Sequence, residues 1–268
     1  VMIQRLKNYC KYLFYKYSVL TNSLLKNQRK NPLSIPVIII NFNQLHYLEE
    51  LISFLLRRKF ENIIIIDNQS SYPPLLEYYN SIKNQVTIHY LSENLGHKVF
   101  YLKPELFNKY AKGYYFLTDA DIVPSENLPE NFPSKMLTIL DKYFRAITKV
   151  GIALRIDDIH DSFPLKNEVL SWEKQFWMKE LEPQIFKAEI DTTFALYKPS
   201  YFLREYKDFI KGIRMGGLYT SRHGGWYKDA NNLTEEELYY QSTANSSSSW
   251  NFDNSGKMNE AYIKSYKK

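Results

Sequence analysis

Pro36-Val-Ile-Ile-Ile40 and Ile63-Ile-Ile-Ile66 are short, unbroken runs of β-branched residues, and each ends at a polar stop, Asn41-Phe-Asn43 after the first and Asp67-Asn-Gln-Ser-Ser71 after the second. A strand that alternates apolar and polar residues has one wet face, whereas an unbroken apolar strand is buried on both, as in a parallel sheet covered by helices. Between the two runs Leu48, Leu51, Ile52, Leu55 and Leu56 recur at helical spacing, so Tyr47 to Arg58 reads as a crossover helix and the whole as a βαβ unit. The pattern continues with a helix over 74–82, a strand over 86–91, a loop at Glu93-Asn-Leu-Gly96, a helix running to Lys112 and a strand over 114–117. The expected fold class is therefore α/β, a mostly parallel sheet with helices on both faces. Ligands of such sheets sit beyond the carboxyl ends of the strands, where Asn41, Asp67, Asn94 and Asp119 all fall.

A chain of 268 residues buries roughly 70 to 75% of its extended surface, enough for one large domain with an appendage. One cysteine, Cys10, excludes an intrachain disulfide or a cysteine-based zinc cluster, and no apolar run approaches the roughly 18 residues of a membrane span. Up to Leu48 there are seven basic residues and no acid, so the net charge of +6 is concentrated at this end. There Ile3, Leu6, Cys10, Leu13, Tyr17, Leu20 and Leu24 recur at three- and four-residue steps, the stripe of an amphipathic helix. A basic helix of this kind contacts an anionic membrane surface or a partner helix, such as that of a second copy, or packs on its own domain with its lysines solvated; both readings stand. The lysines interrupt any signal-peptide core, and without a recognisable binding module nucleic acid is not an expected partner. The expected division is a basic helical segment over 1–31, the α/β domain over 32–240 and a polar, weakly ordered tail over 241–268 in which Trp250 and Phe252 could dock locally.

The densest chemistry is Phe116-Leu-Thr-Asp-Ala-Asp-Ile-Val-Pro124, an apolar strand running into two carboxylates. In extended geometry residues i and i+2 point the same way, so Asp119 and Asp121 can converge on one hard divalent cation, Mn2+ or Mg2+. The order of Pro36 to Asn43, Ile65-Ile-Asp-Asn-Gln-Ser70, Glu93-Asn-Leu-Gly-His97 and Thr118-Asp-Ala-Asp121 resembles the GT-A fold nucleotide-sugar glycosyltransferases, most nearly the family 2 type. That resemblance implies that Asn41 and Asp67 hold the base and ribose of the donor, with Asn43 and Asn94 on the same nucleotide-binding side, while Gly96 lets the backbone approach. It also implies that Asp121 coordinates the metal bridging the diphosphate, with Asp119 supporting it or contacting ribose. His97 is given no role.

In the second half, Ile190-Asp-Thr-Thr-Phe-Ala-Leu-Tyr197 reads as a strand opening with Asp191. The resembling enzymes often place a carboxylate base in this part of the chain, and Asp191 is the first choice, with Glu189 and Asp158 behind it; the usual Glu-Asp pair is missing. Five of the nine glycines fall between Gly212 and Gly225, which reads as a mobile lid carrying Arg214, Arg222 and His223 toward a departing diphosphate. By the resemblance, His223 is a further metal ligand. The expected activity is metal-dependent transfer of a sugar from a nucleotide diphosphate sugar, UDP-linked for preference, to a hydroxyl of a glycan or lipid-linked acceptor. The expected setting is bacterial surface polysaccharide synthesis, such as capsule or lipopolysaccharide, in the cytoplasm or on the inner membrane face. A sugar-phosphate nucleotidyltransferase, and a binding or scaffold protein that keeps the fold without turnover, remain as alternatives.

Overall fold

The computed structural model of the chain describes residues 2–199, 209–244, 250 and 252. Strands β1 (Val37–Asn41), β2 (Ile63–Asp67), β3 (Thr87–Tyr90) and β4 (Tyr115–Asp119) are parallel and lie in the order β3-β2-β1-β4. Every residue of β1 and β2 is buried, and the pleat divides them between two cores. Val37, Ile39, Ile63 and Ile65 enter one, while Ile38, Ile40, Ile64 and Ile66 enter the other. The crossover helix α3 (His46–Arg57) buries Leu48, Leu51, Ile52 and Leu55, and α4 (Pro73–Ile82) follows β2. The single helix expected up to Lys112 is instead a pair, α5 (Val99–Leu102) and α6 (Pro104–Tyr110). Pro104 has no N–H and forces Lys103 into an extended conformation, so the first helix stops there.

Beyond β4 the sheet becomes mixed. The elements are β5 (Ile122–Pro124), α7 (Phe132–Lys142), β6 (Lys149–Leu154), α8 (Lys166–Glu173), β7 (Glu180–Glu182), β8 (Ile185–Glu189), β9 (Ala195–Tyr197), β10 (Lys211–His223) and α9 (Glu235–Thr243). Strand β9 is antiparallel to both β4 and β6, and β10 is parallel to β6 and antiparallel to β8. Two expectations are corrected here. The strand over 190–197 is only Ala195–Tyr197, with Asp191 exposed in the bends before it. The glycine-rich stretch is no lid but the long strand β10, bulged between Met215 and Thr220. Its glycines answer to close packing: a Cβ on Gly212 would come within 2.7 Å of the Ile190 side chain, and one on Gly224 within 2.3 Å of the Tyr47 ring.

The N-terminal segment forms α1 (Met2–Thr21) and α2 (Ser23–Lys30), separated at Asn22, whose side chain caps α2 by accepting from Leu25 N. The face it packs inward is not the expected stripe. Tyr15, Ser18, Leu25 and Gln28 are buried, whereas Leu6, Cys10, Leu13, Tyr17, Leu20 and Leu24 are exposed; Ile3 lies among residues whose side chains are outside the description. Polar matching selects the inward face. The Tyr15 ring stacks on Phe144 at 3.9 Å, and its hydroxyl meets Tyr114 Oη at 2.6 Å and donates to Asp141, which also pairs with Arg29. Gln28 donates to the Tyr114 carbonyl and accepts from the Tyr114 N–H, both at 2.9 Å. Tyr15 and Leu25 thereby join the same core as β1. At the other end, the boundary expected at 240 falls inside α9, and Trp250 and Phe252 are buried against Trp226 and Phe163. The remainder of the expected tail, from 245 onward, lies outside the described residues.

Candidate active site

Register levels the strand ends. Asn41 pairs with Asp67, and Ile40 pairs with Asp119, so β1, β2 and β4 stop along one line. Asp119 closes β4 and its carboxylate accepts from the Thr192 hydroxyl, while its N–H donates to the Thr192 carbonyl. The chain then turns at Ala120-Asp121 into β5, and this turn, rather than strand period, brings Asp121 beside Asp119. The buried surroundings and the neighbouring Asp121 charge push the Asp119 carboxyl well above the usual carboxylate range, with the Thr192 hydrogen bond opposing.

Strand β5 pairs antiparallel with the end of β10, setting His223 opposite Ile122, and the Asp121 carbonyl accepts from Gly224 N at 2.7 Å. The His223 ring lies parallel to Trp226 at 4.9 Å and places Nδ1 3.5 Å from Asp121 Oδ2. That nitrogen is buried and makes no hydrogen bond among the described residues. A lone imidazole nitrogen facing a carboxylate oxygen at this separation suits a cation held between them, and the mixed N and O donor pair suits Mn2+. Among the described residues no three His, Cys, Asp or Glu side chains form a metal cage. Asp121 and His223 could hold a cation only together with oxygens from elsewhere.

A cavity opens here. Asp119, Asp121, His223, Gly225 and Lys228 line one side, and Ile40, Phe42, Gln44, Asn68, Asn94, Gly96, His97 and Tyr240 the other. Of the residues singled out in the sequence, Asn94, Gly96, Asp119, Asp121 and His223 therefore reach one cavity. Gly96 sits at φ +69, and its N–H donates to Asn94 Oδ1 at 2.9 Å. Asn41, Asn43 and Asp67 lie beneath the cavity, held by the protein itself. Tyr79 Oη bridges Asn41 and Asp67 at 2.8 Å to each, and Asn43 Oδ1 accepts from Ser71 N and Tyr72 N. Asn43 also donates to Thr243 of α9, and Glu236 of the same helix accepts from Leu45 N and His46 N, so α9 closes over the loop after β1.

The cations expected from β10 lie elsewhere. Arg214 is buried in an ion pair with Glu173 at 2.7 Å, and Arg222 is half-exposed against Asp158 at 3.5 Å. Asp191 is absent from the cavity lining; it adjoins Thr192, the partner of Asp119, and its carbonyl accepts from the buried Lys149 at 2.7 Å. Lys228 is the cation that the sequence did not single out. Burial lowers its pKa while the Asp121 and Glu237 charges oppose the shift, and its ammonium lies 5.3 Å from the Tyr240 ring centre. Nothing local in Trp226-Tyr-Lys228 signals this position, whereas Asn68 and His97 were within reach as neighbours of Asp67 and Gly96 in the same polar stops.

No protein-family model matches the chain, and no curated protein matches it in sequence. Among solved structures it is similar to the mannosyltransferase PcManGT from Pyrobaculum calidifontis in complex with GDP-Man and Mn2+, at 14% identity over 74% of this chain and 55% of that one, with a TM-score of 0.37. It is also similar to residues 1–349 of TarS from S. aureus, at 12% identity over 76% of this chain and 67% of that one, TM-score 0.43. For the same TarS fragment in complex with UDP-GlcNAc the figures are 14%, 77% and 63%, TM-score 0.42. The chain thus spans between 55% and 67% of the length of these structures.

Proposed function

We propose that the chain is a metal-dependent glycosyltransferase that moves a sugar from a nucleotide diphosphate sugar, UDP-linked for preference, to a hydroxyl of a glycan or lipid-linked acceptor. The observation that carries this reading is the convergence of Asp119, Asp121, His223 and Lys228 on one cavity at the carboxyl ends of β1, β2 and β4. As the bond between the anomeric carbon and the diphosphate oxygen breaks, negative charge develops on the diphosphate. A divalent cation held by Asp121 and His223 supplies Lewis-acid neutralisation of that charge when bound. Lys228 adds a fixed positive charge from the cavity wall, and Phe42, Asn94 and Tyr240 offer the aromatic and amide groups for the nucleoside. The acceptor hydroxyl must lose a proton on the side opposite the leaving group, and Asp191, beside the Thr192–Asp119 pair, is the carboxylate proposed for it, which makes the transfer inverting.

Calorimetric titration of UDP, GDP and CDP with and without Mn2+, repeated on Asp121→Ala, tests the reading. Metal-dependent binding of one nucleotide, lost in the variant, is expected. No binding of any of the three would sink it. One observation favours a non-catalytic nucleotide-binding protein, namely that Asp191 stands outside the cavity lining; donor hydrolysis in Mn2+ separates that reading from turnover.

A further inference from the structure

Seven of the fourteen large hydrophobic side chains that the described residues leave exposed lie between Leu6 and Leu24, on α1 and α2. Leu6, Leu13, Tyr17 and Leu20 fall within one narrow arc of α1 at about 100° per residue, with exposed Cys10 among them. Leu20 and Tyr17 are 74% and 63% exposed, so the stripe is not a rim of the domain core. The opposite side of the helix, at Tyr15 and Ser18, is the one that packs on the body. At the same angular step the exposed Lys16 borders the arc on one side, whereas Lys11 falls on the face of Tyr15 and Ser18. No described helix is long and apolar enough to cross a membrane.

We infer that α1 lies flat in the surface of an anionic lipid bilayer, with its Leu6, Leu13, Tyr17 and Leu20 stripe at the acyl boundary and Lys16 at headgroup level. Charge decides among occupants. A second copy presenting the same stripe would bring together two segments that each expose Lys16, Lys26 and Lys30, and these repel, whereas anionic headgroups neutralise them. The docking face also leaves the cavity free. Helix α1 rests on Tyr114, which precedes β4, and on Phe144, which precedes β6, so it sits at the amino-terminal edge of the sheet, away from the strand ends that bear Asp119 and Asp67. The inference does not depend on the glycosyltransferase reading.

Flotation of the full chain with vesicles of phosphatidylcholine alone, and of phosphatidylcholine mixed with phosphatidylglycerol, tests it. Binding to the mixed vesicles only, weakened by added salt, is expected. The double variant Leu13→Glu/Tyr17→Glu should lose at least about tenfold in vesicle affinity, and Lys16→Gln about fivefold. Both should keep the parent's circular dichroism and melting curve, and the lysine variant serves if the first fails to fold. Absence of binding to the mixed vesicles would overturn the inference, as would undiminished binding by Leu13→Glu/Tyr17→Glu. A solution dimer that this variant dissociates would overturn it too, by assigning the stripe to a second copy.

Discussion

In the parallel half of the sheet Asp119 meets the cavity as the residue at which β4 stops; in the mixed half His223 arrives there from a neighbour's geometry. Asp119 closes β4 at the end of an apolar run and needs only the β1 register to be in place. His223 reaches Asp121 because β10 bulges, then pairs with β5, and because Gly224 gives way to the Tyr47 ring. The same contrast holds for charge. Asp119 and Asp121 are crowded together, so that the Asp121 charge raises the Asp119 carboxyl, whereas Arg214 and Glu173 neutralise each other deep beneath β10. The first arrangement concentrates negative charge at the cavity; the second holds the architecture together.

The sharpest way to break this comparison is to remove Arg214. Arg214→Met should cost about 3–5 kcal/mol of stability, because it leaves the Glu173 carboxylate buried and unpaired. Burial already raises the Glu173 carboxyl above its ordinary value, with Arg214 opposing that rise. The folded variant therefore holds a proton that the unfolded chain releases, and its deficit should be smallest in acid and grow as pH rises through the raised value. Urea unfolding at two pH values checks this. Asp121→Ala should leave stability nearly unchanged while lowering Mn2+-dependent turnover at least about a hundredfold, read as kcat/KM; a loss of stability instead would put Asp121 on the structural side. Lys228→Met should weaken diphosphate binding about tenfold to a hundredfold, the range of a hydrogen bond to a charged group, while Arg222→Met should change it less than about twofold. Titration calorimetry with the preferred nucleotide separates the two cations. Asp141→Asn, which strips the charge from the anchor of Tyr15 and Arg29, should cost about 1–2 kcal/mol, measured by thermal unfolding, with nucleotide binding unaffected.

How far the sequence could be read follows from the same division. Continuous β-branched runs such as Ile63 to Ile66 admit one interpretation, and a polar residue that ends such a run stands at a strand end whatever follows, which is why Asn41, Asp67 and Asp119 fall along one line. What they touch there was not legible. Tyr79, one helix away, occupies both Asn41 and Asp67. The inward face of α1 was misjudged because apolar spacing marks a face that can be buried, and here Tyr15 and Gln28 won it through hydrogen bonds to Tyr114. Glycines clustered over 212–225 resemble a loop in one dimension, although in the sheet they are places where Ile190 and Tyr47 come too close for a side chain. Lys228 has no neighbour in sequence that foretells it.

The bulge in β10 has a consequence for how this chain tolerates change. Met215 and Thr220 face consecutive residues of β6, Ile152 and Ala153, so the stretch from Gly216 to Tyr219 is slack between two independently indexed ladders. Upstream, Lys211 to Met215 is indexed by β8; downstream, Ser221 to His223 is indexed by β5. A one-residue slip along an unbroken strand would turn His223 away from Asp121, but a residue gained or lost within the slack alters only its length. Length variation on the β8 side of the molecule is in this way insulated from the imidazole that faces the cavity.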